Sequence, residues 1–462
     1  MKPGWARSLL VTALGIASIA MPDLARARAR TRRPEAEEHA PAPSRPPALL
    51  TTPSYYGTLA AVRSLGRLQI PIATASPRRF TISSSSKYAS ARLSCPPTTD
   101  SERFLAWLEA FGDANRKHVL LPTCDDTAWL YARHRERLSA KFHVGPLDIH
   151  AIHQLLHKRH LAGHARAAGL ETPTTWFPES ERDLERVLAE ATFPVLIKPV
   201  TQVLFESRSK GSVVRRPEDL RAAYHNFLKL RHGSEIVAYD ASVQKPMVQE
   251  YYTEAHTGIY NIAGYARSGK LRDVRAGRKV LQRPRSLGIG VCFEEAALEQ
   301  PLVEGLERLL QRLSFSGVFE AEFVKLDGRA LLIDFNPRFY NQMGFEVARG
   351  LPLPLLAYQD ALAEHGGPSL LAERAGPLAA PGQVFAHATA FKVMIAAQQL
   401  SGALSREEAE TWRDWYASHE GRRVDAVHDP DDVWPARLDT VQMLQHHLRH
   451  PRIFMRAIVF NS

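Results

Sequence analysis

GVFEAEFVKLDGRALLIDFNPRFYNQ, residues 317–342, is the stretch that decides the fold. Alternation along an extended chain sends residues i and i+2 to one face, so Glu320 and Glu322 share a face of one strand. Asp334, Asn336 and Arg338 share a face of the next. Asp327-Gly328 between them is a hairpin signal, which makes the two strands antiparallel neighbours. Two acids then face an acid, an amide and a guanidinium. Oxygen donors of this kind suit Mg²⁺, which also takes phosphate oxygens, and a fixed Arg suits a phosphoryl group in transfer. A solvated hairpin with incidental charges fits poorly, because Val318, Phe319, Phe323, Leu331, Leu332, Ile333 and Phe335 mark both strands as core.

The segment resembles the magnesium-binding end of the ATP-grasp ligases. In that family an acid just before an aromatic, then an E-x-N-P-R run, hold the metals and the γ-phosphate. Glu322 matches the first acid, and Asp334, Asn336 and Arg338 match the run. Asp334 departs from the usual Glu and is a methylene shorter, which bears on the distance to a second metal.

The resemblance covers residues 52–365. FPVLIKPV (193–200) reads as a short buried strand ending in Lys198, where the family has a Lys that reaches the nucleotide phosphates. Taken alone, that Lys would be read as snorkelling to solvent. Lys158 precedes AGHARAAGLETP much as the other phosphate-binding Lys precedes its small-residue helix. MVQEYYTEA (247–255) resembles the hinge at adenine. The resemblance gives Gln249, Glu250 and the backbone near Tyr251 and Tyr252 to the base, and Glu254 to the ribose. GRKVLQRP (277–284) matches a basic strand carrying an Arg to the reaction centre. Arg278 is expected in that role, with Lys279 pointing the other way. The phosphate-covering loop of the family is glycine-rich, whereas TQVLFESRSKGSVV (201–214) has only Gly211, so Lys210, Ser207, Ser209 and Ser212 are the expected donors.

At 462 residues there is room for about three domains. An apolar share of 45% and a charged share of 23% are ordinary for a globular chain. Cys95, Cys124 and Cys292 form no close pair, which argues against a disulfide framework or a zinc site of cysteines. The net charge of +10 is concentrated at the start: residues 1–33 carry +6, which leaves +4 for the rest. No basic-aromatic module follows, so nucleic acid is not an expected partner.

Lys2 and Arg7 precede SLLVTALGIASIAM (8–21), and residues 1–29 have the layout of a secretory signal. The run is too short to span a bilayer comfortably. Export conflicts with an enzyme that consumes cytosolic ATP, so cytoplasmic function is expected. Export, membrane contact through residues 1–33, or a start at Met21 are the alternatives. Residues 31–53, rich in Pro, Ala and charge, read as a linker.

The resulting fold class is multidomain α/β and α+β. Residues 1–51 form the leader and linker, and 52–145 a small parallel-sheet domain before the ATP-grasp unit. Its subdomains take 146–246 and 247–365, and 366–462 is a helical C-terminal extension. Strand and helix alternate in the first domain, where Gly57 and the run Ser83 to Tyr88 are candidates for substrate contact at strand ends. His150, His153, His157, His160 and His164 would form one stripe on a continuous helix. Imidazoles so spaced can bind a transition metal, but no acid or Cys nearby in sequence completes the set, so a solvated or partner-facing stripe is expected.

The resemblance implies a ligase that joins a small-molecule carboxylate to an amine through an acylphosphate, with ATP and Mg²⁺ (Mn²⁺ as a substitute). Glu322, Asp334 and Asn336 would hold metal. Lys158, Lys198, Lys210, Gln249, Glu250, Tyr252 and Glu254 would bind ATP. Arg278 and Arg338 would be catalytic. A non-catalytic ATP-binding scaffold is the alternative. Substrate identity and any homo-oligomer stay open.

Overall fold

The computed structural model describes residues 45–207, 211–252, 258–284, 288–366, 381–451 and 455. Residues 1–44, Lys210 and Glu254 lie outside the described residues.

The first sheet has five parallel strands, β1 (Ala48–Thr51), β2 (Ile72–Ser76), β3 (Ala91–Ser94), β4 (Val119–Leu121) and β5 (His143–Val144). Their order is β3-β2-β1-β4-β5. The central strands β1, β2 and β4 are buried along their whole length, as a sheet covered on both faces requires. The chain leaves β1 towards β2 and later returns to β4 on the other side. The carboxyl ends of β1 and β4 therefore flank a switch point, where open sheets bind ligands.

A four-stranded antiparallel sheet follows, with β6 (Thr175–Trp176), β7 (Val195–Lys198), β8 (Ser212–Val214) and β9 (Met247–Glu250) in the order β6-β9-β7-β8. The helix Lys158–Ala167 leads into it. The expected stripe of histidines is not on one helix. The segment breaks at His157, whose ψ of 112° is extended, so the helices Ile149–Leu156 and Lys158–Ala167 diverge there.

The third sheet has seven strands in the order β14-β13-β10-β11-β12-β15-β16. They are β10 (Ile259–Arg267), β11 (Lys270–Arg283), β12 (Ile289–Ala296), β13 (Gly317–Leu326), β14 (Arg329–Asn336), β15 (Val384–Ala386) and β16 (Arg423–Asp425). β13 and β14 are antiparallel and joined by the two residues Asp327 and Gly328, at φ 48° and 76°. Both residues need positive φ, which is why Asp-Gly serves here.

The C-terminal residues are helical at Ala388–Ser401, Arg406–Ser418 and Trp434–Arg449. They also add β15 and β16 to the edge of the large sheet, which was not expected. Each has three residues, too few for a periodic signature. Beyond them, buried Asp432 accepts from Arg63 Nε at 2.9 Å, Ser86 Oγ at 2.7 Å and Lys87 N at 2.9 Å, tying the C-terminal segment to the first sheet's helix Tyr56–Arg67 and the turn at Ser86. No described helix is long and apolar enough to cross a membrane.

Candidate active site

Cross-strand register builds the site. Glu322 lies opposite Asp334 and Glu320 opposite Asn336. On the other side of β13, Asn261 of β10 pairs with Glu322, and Gly277 of β11 pairs with Asn261. These residues form a polar row across four strands. A bulge after Glu322, where Phe323 pairs with Leu332, preserves this face while the apolar residues beyond it enter the core. Gly277 leaves room for the amide: a Cβ there would lie 2.7 Å from Asn261 Oδ1.

Glu320 is 2% exposed and accepts from Asn336 Nδ2 at 3.0 Å and from the Gln342 amide. Burial, then the charge of Glu322, push its carboxyl up to about 8. Asn261 Oδ1 is buried in this row with no hydrogen-bond partner among the described residues.

Three cations converge on the row. Lys279 Nζ donates to Glu322 Oε1 at 3.0 Å, and the Lys158 ammonium closes on Asp334 Oδ1 from the helix that it starts. Arg338 donates to Asn336 Oδ1 at 2.7 Å and to Asp125 Oδ1 at 2.8 Å. Burial opposes the charge on Arg338, but Asp125, and after it Glu320 and Tyr55, together outweigh burial and raise its pKa. Asp125 opens the helix Asp125–Arg133 after β4, so Arg338 bridges the hairpin to the carboxyl edge of the first sheet.

A cleft runs from Lys158 between the second and third sheets, lined by Thr175, Met247, Gln249, Leu332 and Ile333. Gln249 is 7% exposed and donates through Nε2 to Thr175 Oγ1 at 2.9 Å. Glu250 Oε2 accepts from Tyr252 OH at 2.6 Å. Lys198 ends β7, directly across from Met247 of β9.

No protein-family model matches this chain, and no curated protein matches its sequence. Solved structures do share its architecture. An N5-carboxyaminoimidazole ribonucleotide synthetase in complex with ADP aligns at TM-score 0.53 and 12% identity over 77% of this chain and 86% of that one. An L-amino acid ligase from Bacillus licheniformis aligns at 0.50 and 13%, over 69% and 75%. A biotin carboxylase from Campylobacter jejuni aligns at 0.51 and 16%, over 72% of each chain. The fold is the ATP-grasp fold.

Against the ATP-grasp pattern, one expected residue is misplaced. Arg278 points away from the acids, half-exposed, and donates to Glu294 Oε2 at 2.5 Å. Lys279, at 4% exposure, takes the inward place. Pairing is regular from Ala276 to Lys279, so alternation puts Lys279 on the face of Gly277 and Arg278 on the opposite one. Resemblance alone favours Arg278. Lys279, Asn261, Asp125 and Gln342 were not singled out as members of the site. Asn261, Asp125 and Gln342 join only through strand pairing and tertiary contact.

The glycine-poor loop after β7 is anchored at its start, where Leu204 N donates to Asp126 Oδ1 at 2.7 Å. Gly211 and Ser212 lie at its far end, with Ser212 opening β8. Several substrate candidates of the first domain are engaged in packing. A Cβ on Gly57 would lie 2.1 Å from Tyr340 O, so this glycine permits close approach of backbone. Ser84 is tied to Thr81 and Ser86 to Asp432, and Ser83 is wholly buried. The oxygens of Glu322, Asp334 and Asn336, with the orphaned Asn261 Oδ1, fit a hard divalent cation better than a soft one.

Proposed function

We propose that this chain is an ATP-dependent ligase joining a small-molecule carboxylate to an amine through an acylphosphate. A carboxylate oxygen bonds to the γ-phosphorus as ADP leaves. The amine nitrogen then bonds to the acyl carbon, phosphate leaves, and the nitrogen gives up a proton. Positioning and charge neutralisation dominate such a reaction, so no side-chain nucleophile is required.

Glu322, Asp334 and Asn336 would hold Mg²⁺, with Mn²⁺ as a substitute, and the ion would neutralise phosphate oxygens. Lys158 and Lys198 would bind phosphates, with Lys210 and Glu254 assigned by resemblance alone. Gln249, Glu250 and Tyr252 would line the base end of the cleft. Lys279 takes the inward position expected of Arg278. Arg338, held between Asn336 and Asp125, would stabilise charge on the transferring group beside a substrate carboxylate at the ends of β1 and β4.

The observation that carries this reading is the cross-strand pair Glu322–Asp334, met by Lys279 from β11 and by Lys158 from a separate helix. Two acids matched by two buried or half-buried lysines suit a site that exchanges these contacts for a cation and phosphates. The test is phosphate release by the full chain with Mg²⁺-ATP and pooled acids and amines. Release that requires one acid and one amine together supports the ligase; ATP binding with no release from any pool supports a non-catalytic ATP-binding scaffold. The scaffold reading draws on the anchored, glycine-poor loop at Leu204.

A further inference from the structure

The break at His157 folds the histidine-bearing segment back so that three imidazoles face one acid 87 residues away from His153. His153 Nε2 donates to Asp240 Oδ2 at 2.9 Å. The rings of His157 and His160 stack at 4.2 Å, and both lie 5.6 Å from the His153 ring. His157 Nε2 lies 3.2 Å from Ser242 Oγ, which holds the stack against the turn that follows Asp240. The acid missing from the local sequence is thus supplied by tertiary structure.

We propose that His153, His160 and Asp240 form a site for a transition-metal cation of the Zn²⁺ class. Each offers a donor atom, and these atoms all lie within 4.8 Å of one another. Zinc–ligand bonds of about 2.0–2.1 Å put tetrahedral donors about 3.3 Å apart, so small side-chain rotations close the site. Two imidazoles with one carboxylate suit Zn²⁺ or a similar ion, and an imidazole set is poor for Mg²⁺. The His153–Asp240 hydrogen bond by itself would account for a structural pair. It does not account for His160, whose Nδ1 is buried beside that pair with no hydrogen-bond partner among the described residues. Burial holds all three imidazoles below the ordinary histidine pKa, so they are neutral and free to ligate.

The place of the site gives it a use. The ion would join the helices Ile149–Leu156 and Lys158–Ala167 to the turn at Asp240. Lys158, which closes on Asp334, sits between His157 and His160 in the chain. A cation here would fix the helix that carries Lys158. The site stands apart from the oxygen donors of the hairpin and does not depend on the ligase reading.

The test uses untagged full-length protein, stripped with chelator and kept in excess Mg²⁺ to fill the oxygen site. Co²⁺ is titrated by visible absorption and Zn²⁺ by calorimetry, with the thermal midpoint followed in parallel. One ion per chain is expected, with tetrahedral Co²⁺ absorption and a raised midpoint. His160→Gln and Asp240→Asn should each weaken binding about tenfold or more. His450→Ala, in a separate histidine group near the C-terminus, should leave it unchanged. Asp240→Asn keeps the shape of the turn, and His160 is only half-buried, so the two variants do not share one route to misfolding. Absence of saturable binding overturns the proposal. So does binding that survives both site variants, or binding lost only with His450→Ala.

Discussion

Lys279 Nζ lies 3.0 Å from Glu322 Oε1, although the two residues belong to strands that are not neighbours. β10 lies between them and presents Asn261 beside Glu322, and Gly277 of β11 leaves room for the Asn261 amide. The ammonium is 5% exposed and the carboxylate 18%, so neither is well served by water. A buried charge left without its partner is expensive. The pairing is therefore a feature of the resting site that a cation and an anionic ligand would together replace.

Exchanging Lys279 for Met should lower ATP turnover by about 10²–10³, the loss typical of removing one electrostatic contact to the reacting group. Arg278→Met, on the solvent face, should stay within about twofold. Steady-state phosphate release for both variants checks the assignment. The reverse ranking would restore Arg278 to the reaction centre.

Glu322→Gln keeps an acceptor for Lys279 while removing a carboxylate from the oxygen set. Magnesium-dependent turnover should vanish and the thermal midpoint should hold, since the substitution is close to isosteric. Titration with Mg²⁺ at fixed ATP measures it. Unchanged turnover would sink the metal assignment.

Gly57→Ala distinguishes packing from substrate contact in the first domain. The added Cβ meets Tyr340 backbone at 2.1 Å, which no rotamer change relieves. Destabilisation of about 1–3 kcal/mol is expected in urea unfolding, the usual range for overpacking. A normal midpoint with a raised KM would instead return Gly57 to the substrate site.

The hairpin at residues 317–342 was legible because its signals are local. Alternation gives the shared faces of Glu320 with Glu322 and of Asp334 with Asn336, and Asp327-Gly328 gives the turn. The parallel first sheet was legible in part: β2 and β4 are apolar runs beside helices, but its central strand Ala48–Thr51 lies inside the stretch read as linker, because four residues after a Pro-rich run give too short a signal. What failed depended on resemblance, irregularity or distance. Resemblance points to Arg278, whereas regular pairing from Ala276 to Lys279 puts Lys279 on the face of Gly277, Asn261 and Glu322. The extended residue at His157 turns one predicted helix into two and gathers histidines around Asp240. Asp125, which holds Arg338, is 213 residues away in sequence. A periodic pattern carries no information about such a partner.

Asp432 is a prediction about the whole molecule. Its side chain is wholly buried and faces Arg63, which is 8% exposed. Asp432→Ala would take away the carboxylate 2.9 Å from Arg63, leave Asp429 at 3.8 Å as its remaining acid, and strand Ser86 and Lys87 N as donors. Removing one partner of a buried pair costs about 3–5 kcal/mol. Urea unfolding should show a loss of that size. A loss below about 1 kcal/mol, the range of exposed pairs, would mean that the C-terminal segment is not held by this contact.

Its neighbour Asp429 sets a pH dependence. Burial raises its pKa, but Arg67 and Arg63 outweigh burial and hold it below the ordinary value of 3.8. The Arg67 guanidinium contacts it directly, and Arg63 Nε lies 3.8 Å away. A carboxyl whose folded pKa lies below its unfolded one stabilises the fold above the unfolded pKa. That contribution is lost as pH falls through the folded value, when the folded state must also take up the proton. Wild type should therefore exceed Asp429→Asn in thermal midpoint at neutral pH. The gap should stay constant down to about pH 5 and then close steadily below about pH 4. Midpoints of both proteins across that range make the measurement. A gap that widens on acidification would show that the arginines do not hold Asp429 ionised.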